Sequence, residues 1–140
     1  EGGLNLDKNN KNIRKIILRF KKKKIRTSLF INPNLRDIKI SKKLGAECVE
    51  IHTGHLSNLV KLKKNYMKEF KRIKKCSLLA NNLNLEVHAG HGLDYQTAKI
   101  LSKIKYIKEF NIGHYLIGES IFYGLSTVIK NFKNIIKKNK

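Results

Sequence analysis

Long apolar runs are missing from this chain of 140 residues. No stretch approaches the roughly 18 consecutive apolar residues that a helical membrane span needs, so nothing in these residues reads as one. Cysteine is nearly absent as well. Cys48 and Cys76 stand alone, with no second ligand at metal spacing, which excludes a disulfide framework and the usual zinc-knuckle patterns. They read as small, reduced, buried residues of a cytoplasmic protein. There is one proline and no tryptophan, and acidic residues are few: 10 Asp+Glu against 31 Lys+Arg, a net charge of +21. Such an excess suggests a partner that is nucleic acid or an anionic surface. Yet arginine is scarce, the aromatics do not interleave with the basic runs, and the lysines spread along helix faces and ends. Nucleic-acid sites favour arginine forks and stacking rings. The charge therefore reads as compositional, in step with the abundance of Asn and Ile, and specific nucleic-acid binding is not expected.

What is present is a regular alternation of elements. Ile13, Ile16, Ile17 and Phe20 recur at helical spacing, predicting a helix over 9–24. Its closing run Lys21–Lys24 complements the negative end of the helix dipole and needs no ligand to explain it. Strands are expected over 25–31, 46–52, 83–89 and 106–112. The matching helices are 35–44, ended by Gly45, one long helix from Leu56 to about Ala80, 96–104, a short piece around 115–120, and 121–138. Asn32-Pro33-Asn34 breaks the first strand from its helix. Strand–helix units in succession imply a parallel sheet with right-handed crossovers.

Strand alternation sharpens this. Val49 and Ile51 share one face, Glu50 and His52 the other; Leu85, Val87 and Ala89 oppose Glu86 and His88; Phe110 and Ile112 oppose Glu109 and Asn111. One face is apolar and helix-covered, while the other carries carboxylates, imidazoles and an amide. An open parallel sheet is apolar on both faces, whereas a barrel interior with a site at its top accepts such a polar face. A hydrogen-bonded polar cluster of structural value is the competing reading.

In parallel α/β folds, sites lie at the carboxyl ends of the strands, and the candidates sit there. Gly90-His91-Gly92 places an imidazole between two residues without Cβ, where it can give or take a proton near neutral pH. A capping or loop-packing histidine is the alternative. Gly113-His114 opens a helix, whose free N–H groups and positive dipole end suit a phosphate. Glu50 on the polar face is placed to steady a cationic or polarised intermediate, or to pair with an imidazole. His52 and His55, and His88 and His91, are three apart. That spacing suits a helix better than strand-to-turn positions, and with no cysteine expected nearby a metal is not anticipated.

Four motifs in order, Thr27-Ser28-Leu29-Phe30-Ile31-Asn32-Pro33, Val49-Glu50-Ile51-His52-Thr53-Gly54, His88-Ala89-Gly90-His91-Gly92-Leu93 and Asn111-Ile112-Gly113-His114, resemble the pyridoxine 5′-phosphate synthase family. Glu1-Gly2-Gly3-Leu4 is similar to that family's loop after its fourth strand. The resemblance covers essentially the whole chain and implies a TIM (β/α)8 barrel, of which residues 1–140 would be a single domain portion. That portion is the C-terminal half, strands 5–8, with the N-terminal half outside this chain. It implies a transferase in vitamin B6 biosynthesis. The reaction condenses 1-deoxy-D-xylulose 5-phosphate with 3-amino-2-oxopropyl phosphate, losing phosphate and water, and neither cofactor nor metal is implied.

By carry-over, His91 would be the proton donor, Glu50 a transition-state stabiliser, and Gly92, Gly113 and His114 ligands of substrate. The family is a cytoplasmic homo-oligomer, an octamer, with no membrane partner. Its two proton acceptors and its early substrate-binding asparagine, aspartate and arginine have no counterpart here. The sequence, which opens at Glu1 without methionine, is expected to be a fragment that needs its N-terminal half, with open sheet edges. The alternative is a decayed or repurposed basic half-barrel module binding nucleic acid or anionic surfaces without catalysis.

Overall fold

A computed structural model describes residues 2–138; Glu1, the first residue of the Glu-Gly-Gly-Leu motif, lies outside the described residues. Helix α1 spans Leu6–Lys22. Four strand–helix units follow: β1 Ser28–Ile31 with α2 Leu35–Leu44; β2 Cys48–His52 with α3 Gly54–Lys61 and α4 Met67–Asn82; β3 Glu86–Gly90 with α5 Tyr95–Leu101; and β4 Ile107–Asn111 with α6 His114–Tyr123 and α7 Leu125–Lys137. The strands form one parallel sheet in the order β1-β2-β3-β4. This α/β architecture is compatible with half of a TIM barrel.

Local signals explain most boundaries. The Asn34 side chain accepts from Arg36 N–H at 2.9 Å and starts α2. Gly45, at φ 93, ends it in the left-handed conformation that a residue without Cβ takes most easily. The expected single helix from Leu56 to Ala80 is a correction, because it is two helices. Lys63 turns left-handed at φ 54 and ends the first of them. Asn65 Oδ1 then accepts from Met67 N–H at 2.9 Å and a new helix begins. The break lets α3 pack on α5 while α4 covers β2 and β3, which one straight rod cannot do. The final helix likewise begins later than expected, after Gly124 at φ 77.

The two faces of the sheet separate as strand alternation requires. Leu29, Val49, Val87 and Ile107 form one buried row under the helices, and Ile31, Ile51 and Ala89 the next. The opposite face carries Phe30, Glu50, His88 and Glu109 in one row, with Ser28, Cys48 and Glu86 in the row nearer the strands' amino ends. A register shift against β3 makes this pattern continue into β4. Ile107 pairs with Val87 but Glu109 pairs with His88, so Lys108 is the extra residue of a bulge. A second, smaller core of Ala98, Val128 and Phe132 joins α5 to α7, with Tyr95 and Tyr115 packed against it. Helix α6 has no buried residue and shows Ile121 and Phe122 at 78% and 80% exposed. At the edge of β1, Leu4 N–H donates to Phe30 O at 2.8 Å, so the amino-terminal segment lies against the sheet there.

Candidate active site

At the carboxyl ends of the strands a cleft of about 890 Å³ opens, lined by Phe30, Glu50, Lys61, His91, Gly92, Leu93, Asp94, Asn111, Gly113, His114 and Tyr115. All five residues expected from the sequence, Glu50, His91, Gly92, Gly113 and His114, line this one cleft. They come from three separate strand–helix junctions.

The β3–α5 turn is held from outside. Thr53, fully buried at the end of β2, gives its hydroxyl to Gly90 O at 2.7 Å and to His91 O at 2.9 Å, a single hydrogen shared between two carbonyls. Thr53 N–H also donates to Gly90 O at 2.9 Å. Farther along, the Asp94 carboxylate accepts from Thr97 N–H at 2.7 Å while Asp94 N–H donates to Thr97 Oγ1 at 2.8 Å. This capping box starts α5 and fixes how the chain leaves the turn. Between these anchors His91 sits at φ 75, a left-handed backbone that costs a residue with a Cβ about 1 kcal/mol or more. The imidazole is thus aimed by a strained, clamped backbone.

Its ring stacks on His52, with centroids 4.6 Å apart and planes 22° from parallel. Phe30 lies 5.3 Å from the His52 ring and 6.4 Å from the His91 ring. Gly54 makes room for the pair, since a Cβ there would come within 2.6 Å of His91 Cδ2 and 2.8 Å of His52 Cε1. The two histidine pairs at spacing three are therefore split. His52 and His91 meet above the sheet, while His88 turns towards Glu86 below, with Nε2 to Oε1 at 2.9 Å.

Glu50 reaches the cleft from β2 and its Oε2 accepts from Asn111 Nδ2 at 2.7 Å. That bond fixes the carboxylate against the end of β4. Gly90 leaves space for it, because a Cβ at Gly90 would collide with Glu50 Oε1. On the far wall, Gly113 precedes α6 with no side-chain cap, and a Cβ there would meet nothing within 4 Å. The first N–H groups of α6 are thus left without a capping side chain, the arrangement that suits an anion. Burial, with the Glu119 carboxylate next, pushes the Tyr115 hydroxyl above its ordinary value.

Several residues were not singled out by sequence as parts of the site. Asn111 was placed on the polar face, but its bond to Glu50 depends on the register between β3 and β4. Thr53 was read only as part of a turn. Ser57, whose buried Oγ has no hydrogen-bond partner, lies beneath Gly92, 3.4 Å from where a Cβ would stand. Lys61 and Tyr115 join the cleft through helix placement. The expectation that no cysteine stands near the histidines is overturned. Cys48, Glu86 and His88 bring their ligand atoms within 4.8 Å of one another on the polar face, because Cys48 pairs in register with Glu86.

Comparison with known proteins places these features in a family. The pyridoxal phosphate biosynthesis protein PdxJ family matches residues 1–138. A pyridoxine 5′-phosphate synthase of Pelagibacter ubique is 63% identical over 138 residues, covering 99% of this chain and 58% of the relative. Enzymes of the same name from Campylobacter fetus and Zymomonas mobilis are 38% and 40% identical, covering 98% and 97% of this chain but 61% and 52% of their own lengths. The chain thus spans a little over half the length of the curated relatives it matches.

Proposed function

The chain belongs to the pyridoxal phosphate biosynthesis protein PdxJ family, and from that premise we propose that it is the C-terminal half of a barrel enzyme. That enzyme condenses 1-deoxy-D-xylulose 5-phosphate with 3-amino-2-oxopropyl phosphate to pyridoxine 5′-phosphate, releasing phosphate and water. The observation that carries the reading is the single cleft lined by Glu50, His91, Gly92, Gly113 and His114.

In this reading each group has a physical task. His91, clamped by Thr53 and stacked on His52, gives a proton to a departing oxygen from a fixed position. Positioned acid–base groups of this kind contribute about 10²–10⁴-fold in rate. Glu50, anchored by Asn111, presents a carboxylate to a cationic, nitrogen-bearing intermediate, and such preoriented charge works without reorganisation during the reaction. Gly113 and His114 receive a substrate phosphate at the start of α6, and Gly92 lets ligand oxygens approach its backbone. The partners are therefore small phosphorylated molecules. The groups that remove protons from the condensing substrates would lie on the half of the barrel beyond this chain.

The test is reconstitution. The purified chain is mixed with a separately produced N-terminal half of the Pelagibacter relative, and pyridoxine 5′-phosphate formation is followed. Turnover is expected only in the mixture, with a loss of 10²-fold or more on His91→Ala. Turnover by the chain alone would refute the claim that half the site lies elsewhere. Full activity of the His91→Ala mixture would refute the proton-donor role.

A further inference from the structure

Below the cleft, towards the amino ends of β2 and β3, lies a group of side chains that the proposed reaction does not use. Cys48 and Glu86 are register neighbours on adjacent strands, and His88 stands two residues beyond Glu86 on the same face. Cys48 is fully buried and His88 is 3% exposed. We propose that Cys48 Sγ, a Glu86 carboxylate oxygen and His88 Nε2 form a binding site for one zinc-type divalent cation, its fourth position taken by water.

Geometry supports three-point binding. The three ligand atoms lie within 4.8 Å of one another, and the imidazole–carboxylate pair is already at 2.9 Å. Tetrahedral zinc, with bonds of about 2.3 Å to sulfur and about 2.0–2.1 Å to nitrogen and oxygen, sets its ligands roughly 3.3–3.7 Å apart. Side-chain turns of about 1 Å close that difference. The donor set of one thiolate, one imidazole and one carboxylate suits zinc rather than magnesium or calcium, which prefer oxygen alone.

The surroundings point the same way. A metal-binding imidazole is normally oriented by an acceptor at its other nitrogen. Here His88 Nδ1 faces Ser28 Oγ at 3.5 Å and Glu109 Oε1 at 3.7 Å, leaving Nε2 towards Glu86. The local charge also favours a cation. Glu47, Glu86 and Glu109, three of only ten acidic residues in the chain, gather around this point. Glu47 Oε2 accepts from Thr27 N–H at 3.2 Å at the same end of the sheet. The opposing charge is Arg26, whose guanidinium forks both Glu86 oxygens from the solvent side, Nη2 to Oε1 at 3.2 Å and Nη1 to Oε2 at 3.3 Å. A carboxylate has about four lone-pair positions, so on binding the ion Glu86 exchanges one of these two guanidinium contacts for the metal and keeps the other. Bound there, the ion would tie β2 to β3 between the Cys48–Glu86 row and the Glu50–His88 row.

The experiment uses the whole chain. Cobalt(II) is titrated into the folded, metal-free protein, and the zinc form is examined by X-ray absorption. Expected are a thiolate-to-cobalt charge-transfer band saturating at one equivalent, and a zinc shell with one sulfur at about 2.3 Å. Cys48→Ser should abolish the band, His88→Asn should weaken binding at least tenfold, and Cys76→Ser should change neither. An all-nitrogen-and-oxygen shell, no band at stoichiometric cobalt, or a sulfur signal that survives Cys48→Ser would overturn the assignment. The X-ray measurement on the unmutated chain decides the matter even if the variants fold poorly.

Discussion

Replacing Thr53 with valine tests whether a hydroxyl outside the turn aims His91. The change is nearly isosteric and keeps the β-branched shape at a fully buried position. It removes one O–H shared between Gly90 O at 2.7 Å and His91 O at 2.9 Å. Gly90 O retains Thr53 N–H at 2.9 Å, so the carbonyl that loses this bond is that of His91. Thr53 stands at the N-cap of α3 but makes no side-chain cap bond, so no helix-capping energy is mixed into the result. Losing one buried bond and leaving an acceptor without it costs about 1–2 kcal/mol. The left-handed strain at His91 works the other way, because a released turn recovers up to about 1 kcal/mol by relaxing. The net loss is then near 1 kcal/mol, but only if the imidazole moves.

Two measurements separate these terms. In urea, with a slope of roughly 1–3 kcal/mol per molar, the unfolding midpoint of Thr53→Val should fall by about 0.3–1 M. In the reconstituted enzyme the rate should fall far more, by about 10²-fold, because a displacement of about 1 Å in a reacting group has that effect. Thr53→Ser, which keeps the hydroxyl and loses a methyl, should restore most of the rate. An unchanged midpoint with unchanged His91 ring resonances would refute the clamp. A serine variant as slow as the valine one would assign the effect to methyl packing instead.

Three other outcomes follow from the same geometry. In Gly90→Ala the new Cβ stands 2.9 Å from Glu50 Cδ and 3.1 Å from Asn111 Cβ. The flexible carboxylate swings away, the fold survives with a loss of about 1–2 kcal/mol, and the Asn111 side-chain amide shifts to a solvent-like NMR position; an unmoved amide would count against the Glu50–Asn111 link. Asp94→Ala breaks the capping box and should lower stability by about 1 kcal/mol, with faster amide exchange confined to the first turn of α5. Burial pushes the Cys76 thiol from 9.0 up to about 11. The unfolded chain therefore loses that proton first, so stability should fall as pH rises between about 9 and 11. A Cys76→Ala chain should show a flatter profile across the same window.

How much of this could be read from sequence depends on the distance over which each signal acts. The polar and apolar faces of β2 and β3 follow from alternation alone, and Glu50 was legible there. Gly90-His91-Gly92 and Gly113-His114 were legible because glycines beside a strand end mark a turn. The split between α3 and α4 was not. Its hydrophobic period runs on through Leu62, and the left-handed Lys63 is settled by where α3 must pack. The Lys108 bulge was missed as well, although the two polar residues in a row, Lys108 and Glu109, break the alternation between Ile107 and Phe110. Asn111 as the partner of Glu50, and Cys48 as the neighbour of His88, are statements about register between strands. Residues 61 and 40 positions apart are joined there by backbone pairing, and no local spacing records it.

The glycines around His91 argue for a rigid site rather than a supple loop. If Gly54, Gly90 and Gly92 served flexibility, each would occupy backbone that other residues avoid. Only Gly92 does, at φ 75, while Gly54 and Gly90 have backbones any residue could adopt. What those two supply is space: Gly54 for two stacked imidazoles, Gly90 for a carboxylate. The left-handed strain falls instead on His91, a residue that gains nothing from it locally. It persists because Thr53 holds the turn from β2 and the Asp94 box holds it from α5. Bonds from both sides thus keep an imidazole in an unfavourable conformation beside a fixed carboxylate, in an open cleft. A loop under no functional demand would relax at the histidine and need no glycine at position 54 or 90.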